Sequence, residues 1–71
     1  MTPEELRVLM DRLGMTQAEC GWLLGLSTRQ IRSWLNGSCR IPQAPALVLR
    51  AFDEGLISID WLLSRISIPL L

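Results

Sequence analysis

Helix start and stop signals recur at short intervals along this chain, and they constrain its fold more than any other feature. In a capping box, a Thr or Ser bonds the backbone three residues on, and the Glu or Gln there bonds back. A glycine just after a helical segment accepts the left-handed conformation that ends a helix. The boxes begin at Thr2, Thr16 and Ser27, and the glycines that can end helices are Gly14, Gly25, Gly37 and Gly55. This spacing predicts a series of short helices.

Five helices are predicted, over about 3–13, 17–24 and 28–36, within 43–54, and from a cap at Ser58 to about Arg65. The apolar residues of the first helix follow the i, i+3, i+4, i+7 spacing of an amphipathic helix, and no strand periodicity of useful length occurs. Helices this short are marginal alone, so packing must hold them together. We therefore predict an all-α domain over residues 1–66, followed by an apolar tail over 67–71.

Composition excludes most catalytic chemistry. The chain has 71 residues, the size of one small domain. It contains no His, so a His-based general base, a His metal ligand and a catalytic triad are absent. The two cysteines, Cys20 and Cys39, cannot complete a four-ligand zinc site alone. We predict that the protein is not an enzyme and uses no cofactor or metal.

Neither a secretory signal nor a membrane span is expected. The N-terminus carries Glu4 and Glu5, whereas a signal peptide begins with a basic region. No uncharged apolar run reaches the length of about 18 residues that a membrane-spanning helix needs. We expect a cytoplasmic protein with reduced thiols and no membrane partner.

Charge is distributed unevenly although the chain is neutral overall. Residues 20–52 contain four arginines and no acidic residue, while the acids lie toward the two ends. The four arginines are Arg29, Arg32, Arg40 and Arg50. A neutral protein can therefore present a basic surface from its middle segment.

Residues 25–27 join the second and third predicted helices in a short turn. Two short helices on such a glycine-containing turn form a helix-turn-helix. Gly21 is small where the helices would cross, and Leu26 is expected to fill the core at the corner. Ile31 and Trp34 have helical spacing and are expected to face inward. The opposite face of the third helix has no acid and no large apolar group, and its residues are Thr28, Arg29, Arg32, Ser33 and Asn36.

That face is chemically suited to the major groove of DNA. Arg can donate two hydrogen bonds to guanine, and Thr or Ser can bond either base edge or touch a thymine methyl group. The alternative is a solvated surface on which Arg29 and Arg32 form salt bridges, for example with Glu19.

Several short pieces of sequence occur in a fixed order through most of the chain. Residues 13–19 read LGMTQAE, residues 24–27 read LGLS and residues 55–63 read GLISIDWLL. Between the last two pieces lie Ile31, Trp34, Asn36, Gly37 and Pro42. At these spacings the set resembles the phage repressor/Cro type of helix-turn-helix domain, over about residues 4–63. The resemblance implies a compact five-helix, lambda-repressor-like DNA-binding fold.

The resemblance also implies roles for individual polar residues. Those that match base-contacting positions are Thr28, Arg29 and Ser33, with Arg32 beside them. Those that match phosphate-contacting positions are Gln17, Asn36 and Arg40.

A homodimeric regulator of transcription is implied as well. Members of this family bind palindromic operators in double-stranded DNA, one half-site per protomer, with half-sites about one helical turn (~34 Å) apart. We expect an autoregulatory repressor of phage or mobile-element origin, of the Cro-like, antitoxin-like or anti-CRISPR-associated type.

A few residues depart from the family's pattern. Gly21 stands where Ala is usual, and Trp22, Leu23 and Leu35 stand where the family has polar, exposed residues. Exposed apolar side chains need a cover. For Trp22 and Leu23, either the apolar residues from Ile66 to Leu71 fold back over them or a second protein binds there. The second possibility gives an alternative function: a protein-interaction module or antitoxin that keeps the fold and acts through this surface and the tail.

Apolar residues elsewhere are too many for a small monomer to bury, which predicts a self-complementary dimer interface. Its residues are Ile41, Pro45, Ile57, Ile59, Ile66, Ile68 and Leu70. Trp61 is expected in the core. Arg7, Arg12 and Arg65 are interpreted as surface charges, and the role of Arg50 is open.

Overall fold

A computed structural model describes residues 1–65, and this part of the chain contains five α-helices and no strand. The helices are α1 (Pro3–Leu13), α2 (Gln17–Leu24), α3 (Thr28–Leu35), α4 (Gln43–Asp53) and α5 (Ile59–Arg65). The predicted all-α class is therefore confirmed, and the helix bounds differ little from the predicted ones. None of the helices in residues 1–65 combines the length and the apolarity that crossing a bilayer requires.

Hydrogen bonds at the helix starts explain why these segments are helical. At α1, Thr2 Oγ1 accepts from the Glu5 N–H at 3.1 Å, and Glu5 Oε1 accepts from the Thr2 N–H at 3.0 Å. The same reciprocal arrangement begins α2. α3 begins with one half of it, in which Ser27 Oγ accepts from the Gln30 N–H at 3.2 Å. These three helix starts thus gain partners for backbone N–H groups that the helix itself leaves unpaired, whereas α4 begins after Pro42 without a side-chain cap.

The core lies where α1, α2, α3 and α4 meet. Ile31 and Trp34 of α3 are 0% and 1% exposed, which confirms that they face inward. The other core residues are Leu6, Leu9, Met10, Cys20, Ile41, Ala46 and Leu49. α3 packs against both α2 and α1, and α1 also packs against α4. The inner side of α3 is therefore held by two helices, and its outer side is left to the solvent.

The connection between α2 and α3 requires glycine at Gly21. A Cβ atom there would lie 2.8 Å from the backbone oxygen of Leu26 and 3.2 Å from the carbonyl carbon of Ser27. The Leu26 N–H also donates to the Gly21 oxygen at 2.7 Å, which holds the turn against α2. The predicted close approach at Gly21 is confirmed. The expectation for Leu26 is wrong: its side chain is 37% exposed, because its backbone rather than its side chain packs against α2.

α5 is a short helix that packs against the rest of the domain through one face. Ser58 Oγ accepts from the Trp61 N–H at 3.1 Å, which confirms the cap predicted at Ser58. Leu62 is buried, but Trp61 is 47% exposed, so the expectation that Trp61 lies in the core is wrong. Adjacent helix positions point about 100° apart, and burial of Leu62 turns Trp61 outward. Its ring is instead covered by the guanidinium carbon of Arg65, 5.4 Å from the ring centroid.

Two arginines link α1 to α4. Arg12 donates from Nε and Nη2 to the two carboxylate oxygens of Asp53, at 3.0 and 2.7 Å. Arg12 is therefore more than the isolated surface charge that its sequence position indicated. Arg50, whose role the sequence left open, donates from Nη2 to Glu5 Oε2 at 2.7 Å. This bond, together with the cap on Thr2, lowers the pKa of Glu5 to about 2.

Candidate nucleic-acid interface

The outer face of α3 gathers the residues that the sequence indicated for base contacts. We call this surface the α3 face, and its residues are Thr28, Arg29, Arg32 and Ser33. Arg29 and Arg32 are exposed, while Thr28 and Ser33 are half-buried beside them. At about 100° per residue these four positions share the side of the helix opposite the buried Ile31 and Trp34. The core packing of α3 therefore presents the α3 face to solvent.

Within residues 1–65, no carboxylate pairs with Arg29, Arg32 or Arg40. Among residues 1–65, every ion pair within 4.0 Å involves Arg7, Arg12 or Arg50. The salt bridge from Arg29 or Arg32 to Glu19, considered above as an alternative, does not form. The Glu19 carboxylate instead accepts from the Thr16 N–H at 2.9 Å, within the capping box of α2. The guanidinium groups of Arg29, Arg32 and Arg40 are therefore open to an external anion or base.

The loop after α3 folds back onto the helix that precedes it. The Ser38 N–H donates to Asn36 Oδ1 at 2.8 Å, and the Cys39 N–H donates to the Ser33 oxygen at 3.2 Å. These bonds hold the backbone next to Arg40 against the last turn of α3. They also engage the amide oxygen of Asn36, so the Nδ2 group remains as its donor for an outside partner.

Gln17, the third residue indicated for phosphate contact, lies at the start of α2. It is half-buried and lines a shallow depression of about 300 Å³ together with Thr16, Arg7 and Leu35. Arg7 donates from Nη2 to the Leu35 oxygen at 3.3 Å and from Nη1 to Glu4 at 2.9 Å. The depression is of mixed charge, because Asp11 lines it as well as Arg7 and the start of α2. Sequence reasoning missed Arg7, because only the packing of α1 against α3 brings it next to Gln17.

The predicted dimer-interface residues occupy different environments. Ile41 is 7% exposed and belongs to the core cluster, so it is a core residue rather than a surface available to a second copy. Pro45 and Ile57 are half-buried, and Ile59 is 44% exposed. The remaining residues of that prediction, like the whole tail 67–71, lie outside the described part of the chain, and they are Ile66, Ile68 and Leu70.

An apolar groove of about 280 Å³ is a second distinct surface. Trp22, 52% exposed, forms part of its wall, and Glu19 also lines it. Its apolar lining residues are Leu13, Met15, Trp22, Leu23, Phe52 and Ile59. Leu23 is only 8% exposed and Leu35 is half-buried against the core, so of the three apolar departures only Trp22 is largely exposed. Nothing in the local sequence indicates that Phe52 and Ile59 would meet Trp22.

The two thiols lie in unlike places. Cys20 is 0% exposed, and burial raises the pKa of its thiol, whereas Cys39 is exposed in the loop after α3. Both cysteines are free. Within residues 1–65, His, Cys, Asp and Glu side chains form no group of three or more that could hold a metal ion.

Comparison with known proteins provides no relative for this chain. No protein-family model, curated protein or solved structure matches the chain. A functional assignment therefore depends on the chemistry of the α3 face, the flanking polar residues and the apolar groove.

Proposed function

We propose that this protein is a sequence-specific regulator of transcription that binds double-stranded DNA. In this proposal α2, the turn over residues 25–27 and α3 act as the helix-turn-helix of a lambda-repressor-like domain. The observation that carries the proposal is the α3 face. It presents Arg29 and Arg32, which have no carboxylate partner among residues 1–65, on the solvent side of a helix whose other side packs in the core.

Base readout is assigned to the α3 face. In the major groove, Arg29 and Arg32 can each donate two hydrogen bonds to the O6 and N7 atoms of guanine. Thr28 and Ser33, half-buried beside them, offer short hydroxyl groups that can donate to or accept from a base edge. A good pair between an arginine and guanine is worth about 1–3 kcal/mol of discrimination against the wrong base.

Positioning on the duplex is assigned to residues at the two ends of the α2–α3 unit. Gln17 lies at the start of α2, and Asn36 and Arg40 lie at and after the end of α3. Contacts to phosphates orient a protein on DNA but carry no sequence information. Arg7 is added to this group because it lines the same depression as Gln17.

The regulator is proposed to act as a homodimer on a palindromic operator in the cytoplasm, without a cofactor. A bound dimer would repress by covering a promoter, including its own. The proposed class is a small autoregulatory repressor of phage or mobile-element origin, of the Cro-like, antitoxin-like or anti-CRISPR-associated type. The sequence resemblance supports this part of the proposal, together with the exposed apolar residue Ile59 as a contact between copies.

Selection of bound sequences from random duplex DNA, at about 0.1 M salt, tests the proposal because weak nonspecific binding falls with salt. We expect a two-fold motif with half-sites about one helical turn (~34 Å) apart. The double variant Arg29→Ala, Arg32→Ala is the matched control and should lose the motif while remaining folded. Absence of any enriched motif with folded wild-type protein would contradict the proposal.

A second candidate function is a protein-interaction module or antitoxin that acts through the apolar groove. The observation that favours it is Trp22, a large apolar side chain with 52% exposure beside that groove. The two candidates differ in which substitution removes activity in cells. If regulation survives the double variant Arg29→Ala, Arg32→Ala but fails in Trp22→Gln, the interaction module is the correct assignment.

A further inference from the structure

The side chains of the α3 face indicate which base pairs it can distinguish. We propose that each operator half-site contains two G·C pairs, either adjacent or one base pair apart, and that Arg29 and Arg32 read one guanine each. The assignment rests on the proposed binding of DNA and adds the base content of the operator. Two observations carry it: the absence of adenine-reading and cytosine-reading side chains from the α3 face, and the separation of its two arginines.

Adenine has no reader on the α3 face. In the major groove adenine is read by an Asn or Gln amide, whose oxygen accepts from N6 while its nitrogen donates to N7. Asn36 is exposed at the end of α3, but its Oδ1 accepts from the Ser38 N–H at 2.8 Å. That bond holds the amide oxygen toward the loop rather than toward a base edge. Gln30 is half-buried one turn before the buried Trp34, and thus lies on the inner side of α3.

Cytosine has no reader on this face either, because its N4 group is read by the carboxylate of Asp or Glu. Residues 20–52 contain no acid, and the Glu19 carboxylate accepts from the Thr16 N–H at 2.9 Å within the capping box of α2. Thr28 and Ser33 carry hydroxyl groups that bond several bases, and the Thr28 methyl group offers thymine only an apolar contact. Strong discrimination between base pairs is therefore left to the two arginines, and the base that an arginine favours is guanine.

Both arginines are placed to form two hydrogen bonds each with guanine. At about 100° per residue, Arg29 lies about 140–160° around α3 from the buried Ile31 and Trp34, and it therefore points outward. Arg32 is exposed one turn later on the same side of the helix. Guanine presents two acceptors, O6 and N7, to the major groove. Because no ion pair of residues 1–65 involves either arginine, each planar guanidinium group can donate to both acceptors.

The separation of Arg29 and Arg32 determines how far apart the two guanines lie. The two residues are three positions apart on α3, so their Cβ atoms are neighbours about 5–6 Å apart. Successive bases of one DNA strand are about 3.4 Å apart along the helix axis. With α3 lying along the major groove, the distance between the Cβ atoms corresponds to one or two base-pair steps. The two G·C pairs are therefore adjacent or separated by a single base pair.

Base-pair substitutions in the selected operator, combined with arginine variants, test the proposal. For the wild type, replacing either G·C pair with A·T should weaken binding about 5- to 150-fold in titrations of labelled duplexes. One replacement should lose its effect in Arg29→Ala, and the other should lose its effect in Arg32→Ala. Arg12→Ala is the matched control and should keep both effects. If both replacements weaken the wild type and the two α3 variants equally, the preference comes from DNA shape and the proposal is overturned.

Selection from random duplex DNA with glutamine variants provides an independent measurement. Because Gln pairs with adenine, Arg29→Gln and Arg32→Gln should each replace one guanine of the motif with adenine, at two different positions. A wild-type motif without two G·C pairs at the stated spacing, or one that neither variant changes, would overturn the proposal and leave DNA binding intact. Absence of any motif with folded wild-type protein is a distinct result, which would contradict the proposed function and this assignment together.

Discussion

The arginines of α1 and α4 and those of α3 place the same chemical group in opposite situations. Arg12 and Arg50 each bond a carboxylate on another helix, at 2.7 Å. Arg29 and Arg32 are exposed and have no carboxylate partner within the described residues. A chain with zero net charge thus pairs Arg12 and Arg50 with carboxylates and leaves Arg29 and Arg32 without one among residues 1–65. Net charge alone would have argued against a DNA-binding surface, whereas the distribution supports one.

The difference follows from where the acids lie in the sequence. Residues 20–52 contain no acidic residue, so the α3 face has no carboxylate of its own segment nearby. Arg50 belongs to the same acid-free stretch but reaches Glu5 through the packing of α4 against α1. Exposed ion pairs contribute little to stability, so the pairs of α1 and α4 mainly orient helices. Arg29 and Arg32, which no carboxylate of the described residues pairs, remain available to an external ligand.

The largest expected effect is on DNA affinity, which substitution of an α3 arginine should reduce and substitution of a paired arginine of α1 or α4 should not. Arg29→Ala should weaken binding to the selected duplex by about 1–3 kcal/mol and relax the preference at one base. Thermal stability should be unchanged, because the side chain makes no bond within the described protein. Arg12→Ala is the matched control and should lower the melting temperature only slightly while leaving affinity intact. Equal losses of affinity in Arg29→Ala and Arg12→Ala would show that Arg29 has no special role in binding DNA. Titration of labelled duplexes provides the measurement.

The next effect tests the junction that presents the α3 face. Gly21→Ala should destabilise the fold by about 1–3 kcal/mol, because the added methyl group overlaps backbone that cannot move freely. The contact in question is that of 2.8 Å to the oxygen of Leu26. Helix propensity alone predicts the opposite sign, a gain of about 1 kcal/mol. The free energy of unfolding in denaturant, measured for the wild type and Gly21→Ala, decides between these two predictions.

A control for that junction lies one turn earlier in α2. Ala18→Gly changes an exposed helical position and should cost up to about 1 kcal/mol through propensity alone. An increase in stability for Gly21→Ala would show that the turn can relax, and the steric argument would then fail.

A smaller effect concerns Arg40, which is proposed to contact phosphate. Arg40→Ala should weaken binding to all duplexes similarly and reduce the slope of log affinity against log salt by about one. Arg65→Ala is the matched control, since Arg65 covers the Trp61 ring on α5. A change in preferred bases after Arg40→Ala would place Arg40 among the base-reading residues instead. Affinity measured over a series of salt concentrations tests this.

The smallest effect concerns the ion pair between Glu5 and Arg50 and the change in stability with pH that it causes. Glu5 has a pKa of about 2 in the folded protein, below its ordinary value of 4.5, chiefly because of its bond to Arg50. A carboxyl group whose pKa is lowered by folding stabilises the folded state above the unfolded pKa. Stability should therefore fall as the pH decreases from about 4.5 toward 2. The free energy of unfolding in urea, measured across this range, tests the prediction.

The variant Glu5→Gln provides the comparison for that experiment. It should be less stable than the wild type at neutral pH and should show a weaker decrease in acid, because it lacks the titrating group. Parallel pH profiles for the two proteins would assign the acid sensitivity to other carboxyl groups.

Much of the fold and the α3 face could be predicted from sequence because the determining interactions are local. Capping bonds join residues three positions apart, as between Thr2 and Glu5, and helical periodicity separates Ile31 and Trp34 from Arg29 on α3. These relations depend on spacing along the chain and on nothing distant. Helix bounds, caps and the composition of the α3 face were therefore determined by the sequence itself.

The tertiary structure decided whatever depends on which helix lies opposite. The bond between Arg12 and Asp53 joins residues 41 positions apart, and the placement of Arg7 beside Gln17 likewise requires the packing of α1 against α3. Trp61 turned outward because burial of its neighbour on α5 left no inner surface for it. Periodicity identifies the residues of each helix face, but the environment of that face depends on long-range packing, which spacing along one helix does not encode.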